Sequence, residues 1–432
     1  MLIAIEGCGH GELDKIYAAI AEAEQRNGVK VDLLLICGDF QAVRNHGDLA
    51  TMACPAKYRQ IGNFYQYYSG EKACCFPPPA RRRLPLRASR VAAAPQVAPV
   101  LTLFIGGNHE ASSHNWELYH GGWAAPNIFF LGYANVVNVG GVRIGGLSGI
   151  FNHRHYRCGH YEAPPYTEDT MRSAYHVREL EVFKLLQLRR PVDVFLSHDW
   201  PQHIARHGDT QSLFRRKSFL RAEVEDGSLG SPPAKELLQH LKPSYWFSAH
   251  LHVQYASVVK HQDGSATRFL SLDKCLPNRD FLQLVEIAGD GSPVQLRYDA
   301  EWLAVLRATS GVFSVARGAL RLDAATLAKA CGGRTDFRPT DEEIAELEGH
   351  DLVVPANFQI TAPPHRPGET PGCQASFHEN PQTSAFVARF GLRSDFRSQT
   401  LGGHSSSDAN PMFQPMEANT EELVEEIDIG DD

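Results

Sequence analysis

Five short apolar runs in the sequence each end at residues that bind metal ions. The runs are LIAIEG, VDLLLIC, VLTLFIGG, VDVFLS and YWFSA, and short apolar runs bounded by turn residues are typical of buried strands. The candidate metal ligands that follow them are Cys8, His10, Asp39, Asn108, His198, His250 and His252. Because strands that end at one edge of a sheet bring their tips into a single cleft, we expect these side chains to converge.

These ligand types suit a pair of divalent metal ions. Two metals about 3.5 to 4 Å apart need at least one shared ligand, and a carboxylate can bridge them because it has two oxygens. Asp39, directly after Gly38 at the end of a run, is the predicted bridge. A lone Cys8 is more often an apolar core residue, and a lone Asp39 or His198 is a common turn residue. The five tips taken together favour the metal site.

The elements that would position these residues alternate between strands and helices, as α/β architecture requires. Helical spacing predicts one helix over residues 13–27, ending at Gly28, and a second over residues 171–188. Repeated glycines within residues 132–150 predict a hairpin of two short strands.

The sequence divides into a catalytic region, a smaller domain and a tail. The α/β pattern covers residues 1–275 and weakens over residues 276–400. After residue 401 the serine, glycine, asparagine and acidic content predicts a disordered tail. Residues 74–99 interrupt the first region with six prolines and five arginines, which predicts a disordered surface insert.

Composition favours an intracellular, soluble protein. The 432-residue chain is 43% hydrophobic, but no run reaches the ~20 apolar residues of a membrane span. Nine cysteines at irregular spacings do not make a disulfide framework, so Cys8 can remain a thiol. The net charge of −8 belongs to the tail, because residues 417–432 contain eight acids and no lysine or arginine. The rest of the chain is close to neutral and does not exclude a nucleic-acid partner.

The order of the motifs resembles the calcineurin-like metallophosphoesterase superfamily. That superfamily uses Asp-x-His, Gly-Asp, Gly-Asn-His-Glu, a lone His and Gly-His-x-His, and this chain departs from it with Cys8 in place of Asp and Ala249 in place of Gly. Cysteine at the first position, within GCGHGELD, is characteristic of one family in it, the lariat debranching enzymes. The runs IGGNHEAS, SHDWP and LDKCLPNRDFLQ are similar to that family, and the resemblance covers residues 1–287 outside the insert.

The resemblance implies a fold and a set of roles. The implied fold is an αββα β-sandwich flanked by helices, followed by a smaller C-terminal domain and a disordered acidic tail. The implied ligand sets are Cys8, His10, Asp39 and His252 for one metal, and Asp39, Asn108, His198 and His250 for the other. His109 would donate a proton while hydroxide activated at the metals attacks phosphorus in line, and Glu110 would orient His109. Because sulfur matches Mg²⁺ poorly, the expected cofactors are two divalent ions of Fe²⁺, Zn²⁺ or Mn²⁺.

The resemblance also places a lariat-recognition loop at residues 150–178. This segment alternates cations and aromatics, which suits phosphate contact and base stacking. The predicted RNA-contacting residues are Arg154, Tyr156, Arg157, His160 and, outside the loop, Trp200, with the basic run at 215–217 as a further candidate. For each of them the alternative is a purely structural role that anchors the segment, and both interpretations stay open.

The implied activity is hydrolysis of the 2′,5′-phosphodiester at the branch point of excised intron lariat RNA, which linearises it for turnover. Two alternatives remain: a general metallophosphodiesterase or phosphatase of the same superfamily, and a non-catalytic scaffold on that fold. The presence of His109 opposes the scaffold. Branched RNA is the expected partner, with spliceosome-associated proteins as further candidates and no membrane partner. A nuclear location, with shuttling to the cytoplasm, is inferred from the substrate alone, and the oligomeric state stays open.

Overall fold

The structure is a computed structural model that describes residues 1–71, 97–369 and 375–392 and the backbone of 413–414. The predicted insert at 74–99 lies outside the described residues except for its last three positions. Almost all of the predicted tail after residue 401 lies outside them as well. Within the described part of the chain, no helix has the length and apolar character needed to cross a bilayer.

The structure contains the following strands, most of which belong to two mixed sheets. They are β1 (Leu2–Glu6), β2 (Leu33–Ile36), β3 (Leu101–Phe104), β4 (Gly122–Ala125), β5 (Ile128–Phe130), β6 (Ala134–Val139), β7 (Val142–Leu147), β8 (Val194–Ser197), β9 (Tyr245–Ser248), β10 (Tyr255–Lys260), β11 (Ala266–Ser271), β12 (Leu282–Glu286), β13 (Leu296–Tyr298), β14 (Ala319–Leu320) and β15 (Phe413–Gln414). The first sheet has the order β12-β1-β2-β3-β5-β4 and the second β10-β11-β9-β8-β7-β6-β13. The central strands of each are parallel, and antiparallel strands close the edges.

Helices cover the outer faces of both sheets. They are α1 (Leu13–Asn27), α2 (His46–Leu49), α3 (Phe64–Ser69), α4 (Ser112–Glu117), α5 (Glu168–Ser173), α6 (Glu179–Leu185), α7 (Thr210–Arg216), α8 (Arg221–Asp226), α9 (Pro232–Leu241), α10 (Ala300–Thr309), α11 (Ala324–Ala330), α12 (Asp341–Glu348) and α13 (Pro381–Phe390). Single 3-10 turns lie at Ala56–Tyr58, Ile204–His207, Ser218–Leu220 and Ser310–Val312.

Alternate residues of the central strands face different layers. In β2, Leu33 and Leu35 lie in the core between the sheets, whereas Leu34 and Ile36 face the helices outside the first sheet. Strands β8 and β9 alternate in the same way between the shared core and the helices outside the second sheet. A strand buried on both faces is apolar along its whole length, which is why these strands appear in the sequence as continuous apolar runs. The predicted αββα class is confirmed.

Two predicted elements are present where the sequence indicated them. Helix α1 spans the predicted residues, and Gly28 follows it with a φ of 65°, a left-handed conformation that glycine adopts without steric cost. Strands β6 and β7 form the predicted hairpin, in which Val139 pairs with Val142 across the turn.

The single helix predicted over 171–188 is wrong. Two short helices, α5 and α6, are separated by residues 174–178. The N–H of Val177 donates to the carbonyl of Ile150 at 2.9 Å, and Ile150 pairs with His176 in a single β-bridge. Tertiary hydrogen bonds therefore replace the helical ones here and outweigh the local propensity.

Strand pairing crosses the predicted domain boundary near residue 275. Strand β12 pairs antiparallel with β1, and β13 pairs antiparallel with β6, so the later part of the chain adds one edge strand to each sheet. Helix α10 packs against α6 and β6. The short pair β14 and β15 brings the backbone of 413–414 to this region.

Candidate metal centre

The seven predicted ligands meet at one end of the sandwich. Strands β1, β2 and β3 of the first sheet and β8 and β9 of the second all end there, and each is followed by one or two of the predicted residues. The runs predicted as strands from the sequence are strands in the structure. Two sheets, rather than one edge of a single sheet, therefore supply the site.

Four of these side chains form a compact group. The donor atoms of Cys8, His10, Asp39 and His252 all lie within 4.8 Å of one another. Nε2 of His10 is 3.3 Å from Nε2 of His252 and 3.7 Å from Oδ2 of Asp39. Sulfur, imidazole nitrogen and carboxylate oxygen are the donor atoms that proteins use for Zn²⁺ and other transition metals.

The remaining ligands lie on the other side of the same carboxylate. Oδ1 of Asp39 is 3.4 Å from Nε2 of His198, which is 3.1 Å from Oδ1 of Asn108. The rings of His198 and His250 are 5.0 Å apart between centroids. The two oxygens of Asp39 thus face different groups of donors, as a bridging ligand requires.

The protonation of these groups fits metal binding. Burial, followed by the charge of nearby His10, lowers the pKa of His252 to about 2. Burial also lowers the pKa of His10 to about 4. Neutral imidazoles offer the lone pairs that a metal needs. Burial and the nearby Asp39 carboxylate raise the pKa of Cys8 well above its usual value. A bound cation reverses that shift, because a coordinated thiol is deprotonated.

Asp39 remains ionised in spite of its burial. Burial alone would raise its pKa, but the positive charges of His198 and His109 and a hydrogen bond from His198 hold the pKa well below its usual value. A buried carboxylate surrounded by imidazoles is the donor arrangement that a pair of divalent cations would complete. The residues present therefore fit the two metals that the motifs imply.

The backbone around the site is unusual for non-glycine residues. His10, Asp39, Gln41, His250 and His252 have positive φ angles of 42°, 47°, 63°, 64° and 47°. Left-handed conformations of such residues cost energy and cluster at functional sites. These conformations turn the backbone sharply after each strand, so that the ligand side chains face the centre.

Two glycines are required by close packing around the bridging carboxylate. A Cβ atom on Gly107 would lie 2.2 Å from Oδ1 of Asp39, and one on Gly38 would lie 2.3 Å from Nδ1 of His198. No side chain fits at either position. This gives a physical reason for the glycines that precede Asp39 and Asn108 in the sequence.

His109 lies at the rim of the centre and is half-buried. Its backbone N–H donates to Oδ1 of Asp39 at 2.8 Å, and its Nδ1 is 3.2 Å from the carbonyl oxygen of Ala53. Its Nε2 is 3.2 Å from Nδ2 of Asn108. A proton on Nδ1, donated to Ala53, orients the ring and leaves Nε2 as the atom that faces the site.

The predicted role of Glu110 in orienting His109 is wrong. The Glu110 carboxylate accepts hydrogen bonds from the backbone N–H groups of Phe40, Gln41 and Gly107 at 2.8, 2.9 and 3.0 Å. Burial and the nearby Asp39 raise the pKa of Glu110 to about 7. Glu110 thus joins the loop after β3 to the loop after β2. The Ala53 carbonyl, and not Glu110, orients the ring of His109.

A buried arginine holds the same two loops from behind. The Arg44 guanidinium donates to Asp48 at 2.7 and 2.9 Å and to Glu117 at 2.8 Å through each of two nitrogens. It also donates to the hydroxyl of Thr361 at 2.9 Å. This network joins the segment after Asp39, helix α4 after His109, and the later part of the chain.

The predicted recognition segment is anchored by buried contacts. The Arg178 guanidinium donates to Glu162 at 2.6 Å, and both side chains are buried. Tyr156 packs against the core outside the second sheet, and Arg154 is half-buried. Arg157 is exposed, with Nε 3.6 Å from the Glu179 carboxylate. Of the predicted RNA-contacting residues, Arg157 is therefore the most accessible.

Two predicted RNA-contacting residues lie inside the protein, which corrects their expected role. His160 is 3% exposed, with Nε2 3.4 Å from the carboxylate of Glu181. Trp200 is fully buried, and its indole N–H donates to the carbonyl of Ala249 and the hydroxyl of Ser271 at 3.0 and 2.9 Å. Neither ring is available to stack on a base in this structure.

Some residues of the site were not identified from the sequence. Gln41 contacts His10, with Nε2 3.4 Å from Nδ1, and Ala53 orients His109 through a carbonyl that no residue type reveals. Lys274 pairs with Cys8 in a parallel β-bridge. The similarity of LDKCLPNRDFLQ to the debranching family was the signal for Lys274.

Comparison with known proteins agrees with this geometry. Residues 1–254 match the family model of calcineurin-like phosphoesterases, and residues 264–395 match that of the lariat debranching enzyme C-terminal domain. The lariat debranching enzyme A of Xenopus laevis is 51% identical over 402 residues, which cover 91% of this chain and 70% of that protein. The Homo sapiens enzyme is 51% identical over 403 residues, covering 91% and 69%. The Arabidopsis thaliana enzyme is 47% identical over 394 residues, covering 91% and 86%.

These matches extend across both parts of the described chain, including the strands that carry the seven ligands. The chain belongs to the lariat debranching enzyme family of the calcineurin-like phosphoesterases.

Proposed function

We propose that this protein hydrolyses the 2′,5′-phosphodiester at the branch point of excised intron lariats. The observation that carries the proposal is the convergence of Cys8, His10, Asp39 and His252 within 4.8 Å, in a chain 51% identical to a debranching enzyme. The thiol distinguishes this centre from the Asp-x-His centres of the wider superfamily. The similarity to lariat debranching enzymes supports the lariat as the substrate.

In the proposed reaction, a water oxygen bonds to the branch phosphorus as the bond from phosphorus to the ribose 2′ oxygen breaks. The phosphate stays on the released strand end, and the 2′ oxygen takes up a proton to become a hydroxyl. Two divalent cations, when bound, neutralise the charge on the phosphoryl oxygens and lower the pKa of water. His198 and His109 hold the bridging Asp39 ionised, and burial holds the imidazoles of His10 and His252 neutral.

His109 supplies the proton in this proposal. The carbonyl of Ala53 holds Nδ1, and the backbone N–H of His109 is held by Asp39. The ring is thus fixed at the rim of the centre. In the imidazolium form its Nε2 carries a second proton and gives it to the 2′ oxygen, while the attacking water releases a proton to solvent. A positioned acid of this kind contributes about 10²- to 10⁴-fold to the rate.

Finer features extend the proposal beyond the family assignment. We expect Fe²⁺, Zn²⁺ or Mn²⁺ in the cell, because a thiol ligand at position 8 disfavours Mg²⁺. Single-stranded RNA around the branch would contact Arg157 and the half-buried Arg154 and Tyr156 of the segment 150–178. A nuclear location, with shuttling to the cytoplasm and with spliceosome-associated partners, follows from a substrate released by splicing.

The test compares one branched RNA with its linear 3′,5′ counterpart. Purified protein is supplied with Mn²⁺, Fe²⁺ or Zn²⁺ in turn, and bound metal is measured by mass spectrometry on the same sample. We expect cleavage of the 2′,5′ bond only. The His109→Ala variant should lose about 10²- to 10⁴-fold in rate and keep its metal content. His350→Ala, an exposed histidine at the end of α12, serves as the matched control.

Two results would contradict the proposal. Equal cleavage of branched and linear RNA would indicate a general phosphodiesterase. No cleavage by metal-loaded protein would favour a non-catalytic scaffold. A His109→Ala variant that loses its metal along with its activity would show that His109 is a ligand rather than the proton donor.

A further inference from the structure

A cleft of about 550 Å³ opens at the edges of the two sheets. Strands β9 and β11 form its floor, β12 one side, and α7 with the start of β10 the other. Gln254, two residues after the ligand His252, lines the end nearest the metals, and Tyr245 pairs with Arg268 farther along the strands. Its volume lies within the range of about 300 to 1,000 Å³ typical of ligand sites.

The cleft carries two cations that pair with no carboxylate among the described residues. Arg216, at the end of α7, and Arg268, on β11, both line it and are both exposed. Within the described ranges, neither makes an ion pair with an acidic side chain. Asp209 is the one acidic residue of the lining, and it caps α7 by accepting the N–H of Ser212 at 2.9 Å. Guanidinium groups on two sides of a cleft favour an anionic ligand, phosphate above all.

The same cleft presents one aromatic ring, that of the half-buried Tyr245, with the buried Phe247 ring beside it. The rings of Tyr245 and Phe247 stack with centroids 6.0 Å apart and planes inclined by 20°. The Arg268 guanidinium lies 5.5 Å from the centroid of the Tyr245 ring, which is half-buried. Proteins that bind single-stranded nucleic acids combine aromatic rings for bases with cations for phosphates.

Further cations lie next to the cleft and next to the first metal ligand. Lys217 follows Arg216, with its Nζ 5.7 Å from the centroid of the exposed Phe219 ring. Lys274 pairs with Cys8 through the backbone. Arg279 lies near Lys274 in the chain and pairs with the Asp273 carboxylate at 3.4 Å. Lys217 therefore lies next to the cleft in the chain, and Lys274 lies next to the first metal ligand.

We propose that this cleft binds a single-stranded arm of the branched RNA where it leaves the metal centre. Arg216 and Arg268 contact phosphates, and Tyr245 lies under a base. The proposal rests on the proposed function and deepens it, because the substrate then has a second binding surface apart from residues 150–178. An acidic peptide would use the two arginines but would leave the Tyr245 ring without a matching ring, so RNA is the better fit.

The experiment uses full-length protein in a His109→Ala background, so that bound RNA is not cut. Fluorescence anisotropy measures the affinity for branched RNAs with short arms and for the same RNAs with each arm extended in turn by unpaired nucleotides. The variants are the double substitution Arg216→Gln and Arg268→Gln, the single substitution Tyr245→Leu, and Lys260→Gln as the control. Lys260 is an exposed cation on β10 that does not line the cleft.

The background protein should bind an extended arm more tightly than a short one. The double variant should lose about tenfold of this gain, and its dependence of log affinity on log salt should weaken by about 1.4, which is two phosphates at about 0.7 each. Tyr245→Leu should lose about fivefold or more, as expected for one stacked base. Lys260→Gln should keep the full gain. Thermal melting checks that every variant is folded.

Three outcomes would overturn the cleft proposal. They are an unchanged gain in the double variant, an equal loss in Lys260→Gln, and displacement of the RNA by a polyglutamate peptide whose own binding depends on both arginines. The last would assign the cleft to an acidic protein partner. Failure of the proposed function is seen separately, as protein with intact His109 that leaves the 2′,5′ bond uncut whatever its affinity for extended arms.

Discussion

The metal centre and the segment 150–178 differ in how well residue type predicted the position of a side chain. In the centre, all seven predicted ligands lie together, each held at the end of a strand. In the segment, His160 is buried beside Glu181, and only Arg157 of the predicted contacts is exposed. Parallel strands end at the same edge of a sheet, so the residues that follow them lie close together. A loop, in contrast, can direct a polar side chain inward or outward.

This difference separates two kinds of inference. A ligand after a buried strand is positioned by the sheet, so its location follows from the strand pattern. The side chains of a loop are positioned by partners that no strand pattern specifies, such as Arg178 for Glu162. Substitutions in the metal centre should therefore lower metal content and activity, whereas substitutions in the segment 150–178 should lower stability.

The largest effect should come from Asp39→Asn, because both groups of ligands share this carboxylate. The amide has nearly the same shape but no charge, so metal content should fall in both halves and cleavage of branched RNA should drop more than about a hundredfold. Metal analysis and single-turnover cleavage measure this. Asp226→Asn, at the exposed end of α8, is the control. Loss of one metal with the other fully retained would show that Asp39 does not bridge.

Replacing the sulfur of Cys8 with oxygen should alter the metal preference of only one of the two metal positions, the one that Cys8 contributes to. The substitution Cys8→Asp introduces a hard ligand, so cleavage supported by Mg²⁺ or Mn²⁺ should rise relative to that supported by Zn²⁺ by about tenfold. Metal competition followed by mass spectrometry measures the preference, with Cys331→Ser, far from the centre, as the control. If the preference does not change, the sulfur is not a ligand.

In the recognition segment, Arg178→Leu should lower the free energy of unfolding by about 3 to 5 kcal/mol, because Glu162 would remain as an uncompensated buried charge. Arg157→Leu removes an exposed pair with Glu179 and should cost less than about 1 kcal/mol. Urea denaturation of the two variants gives the comparison. Equal losses would mean that the buried pair does not anchor the segment.

Acid should weaken the contacts of Glu181 with His160. Burial alone would raise the pKa of Glu181, but the charge of His160, a hydrogen bond from it and the charge of Lys184 lower it to about 2 from an ordinary 4.5. A lowered pKa contributes stability above about pH 4.5 that is lost as the pH falls toward 2. Glu181→Gln should therefore lose less stability than the unaltered protein over this interval. Urea midpoints at several pH values test this, and parallel curves would contradict it.

The smallest effect on RNA binding is expected for Trp200→Phe, which removes the indole N–H and its bonds to Ala249 and Ser271. Two buried acceptors lose a donor, so the free energy of unfolding should fall by about 1 to 3 kcal/mol. The affinity of the folded protein for branched RNA should stay within about twofold, since the ring is buried. A large loss of affinity at unchanged stability would restore the RNA-contacting role.

Much of the architecture was accessible from the sequence because it depends on local pattern. Continuous apolar runs predicted strands buried on both faces, and the spacing over 13–27 with Gly28 predicted α1. The single helix expected over 171–188 could not be corrected from local pattern, because the hydrogen bond from Val177 to Ile150 and the bridge between His176 and Ile150 interrupt it.

The sequence by itself determined which residue types reach the metal centre, since each ligand follows a strand whose burial dictates where it ends. Only the tertiary structure decided what supports them. The Ala53 carbonyl that orients His109, the Glu110 carboxylate that binds backbone N–H groups, and the cleft between Arg216 and Arg268 each join segments distant in the chain. Such contacts depend on how the two sheets pack, and neither residue type nor spacing encodes them locally.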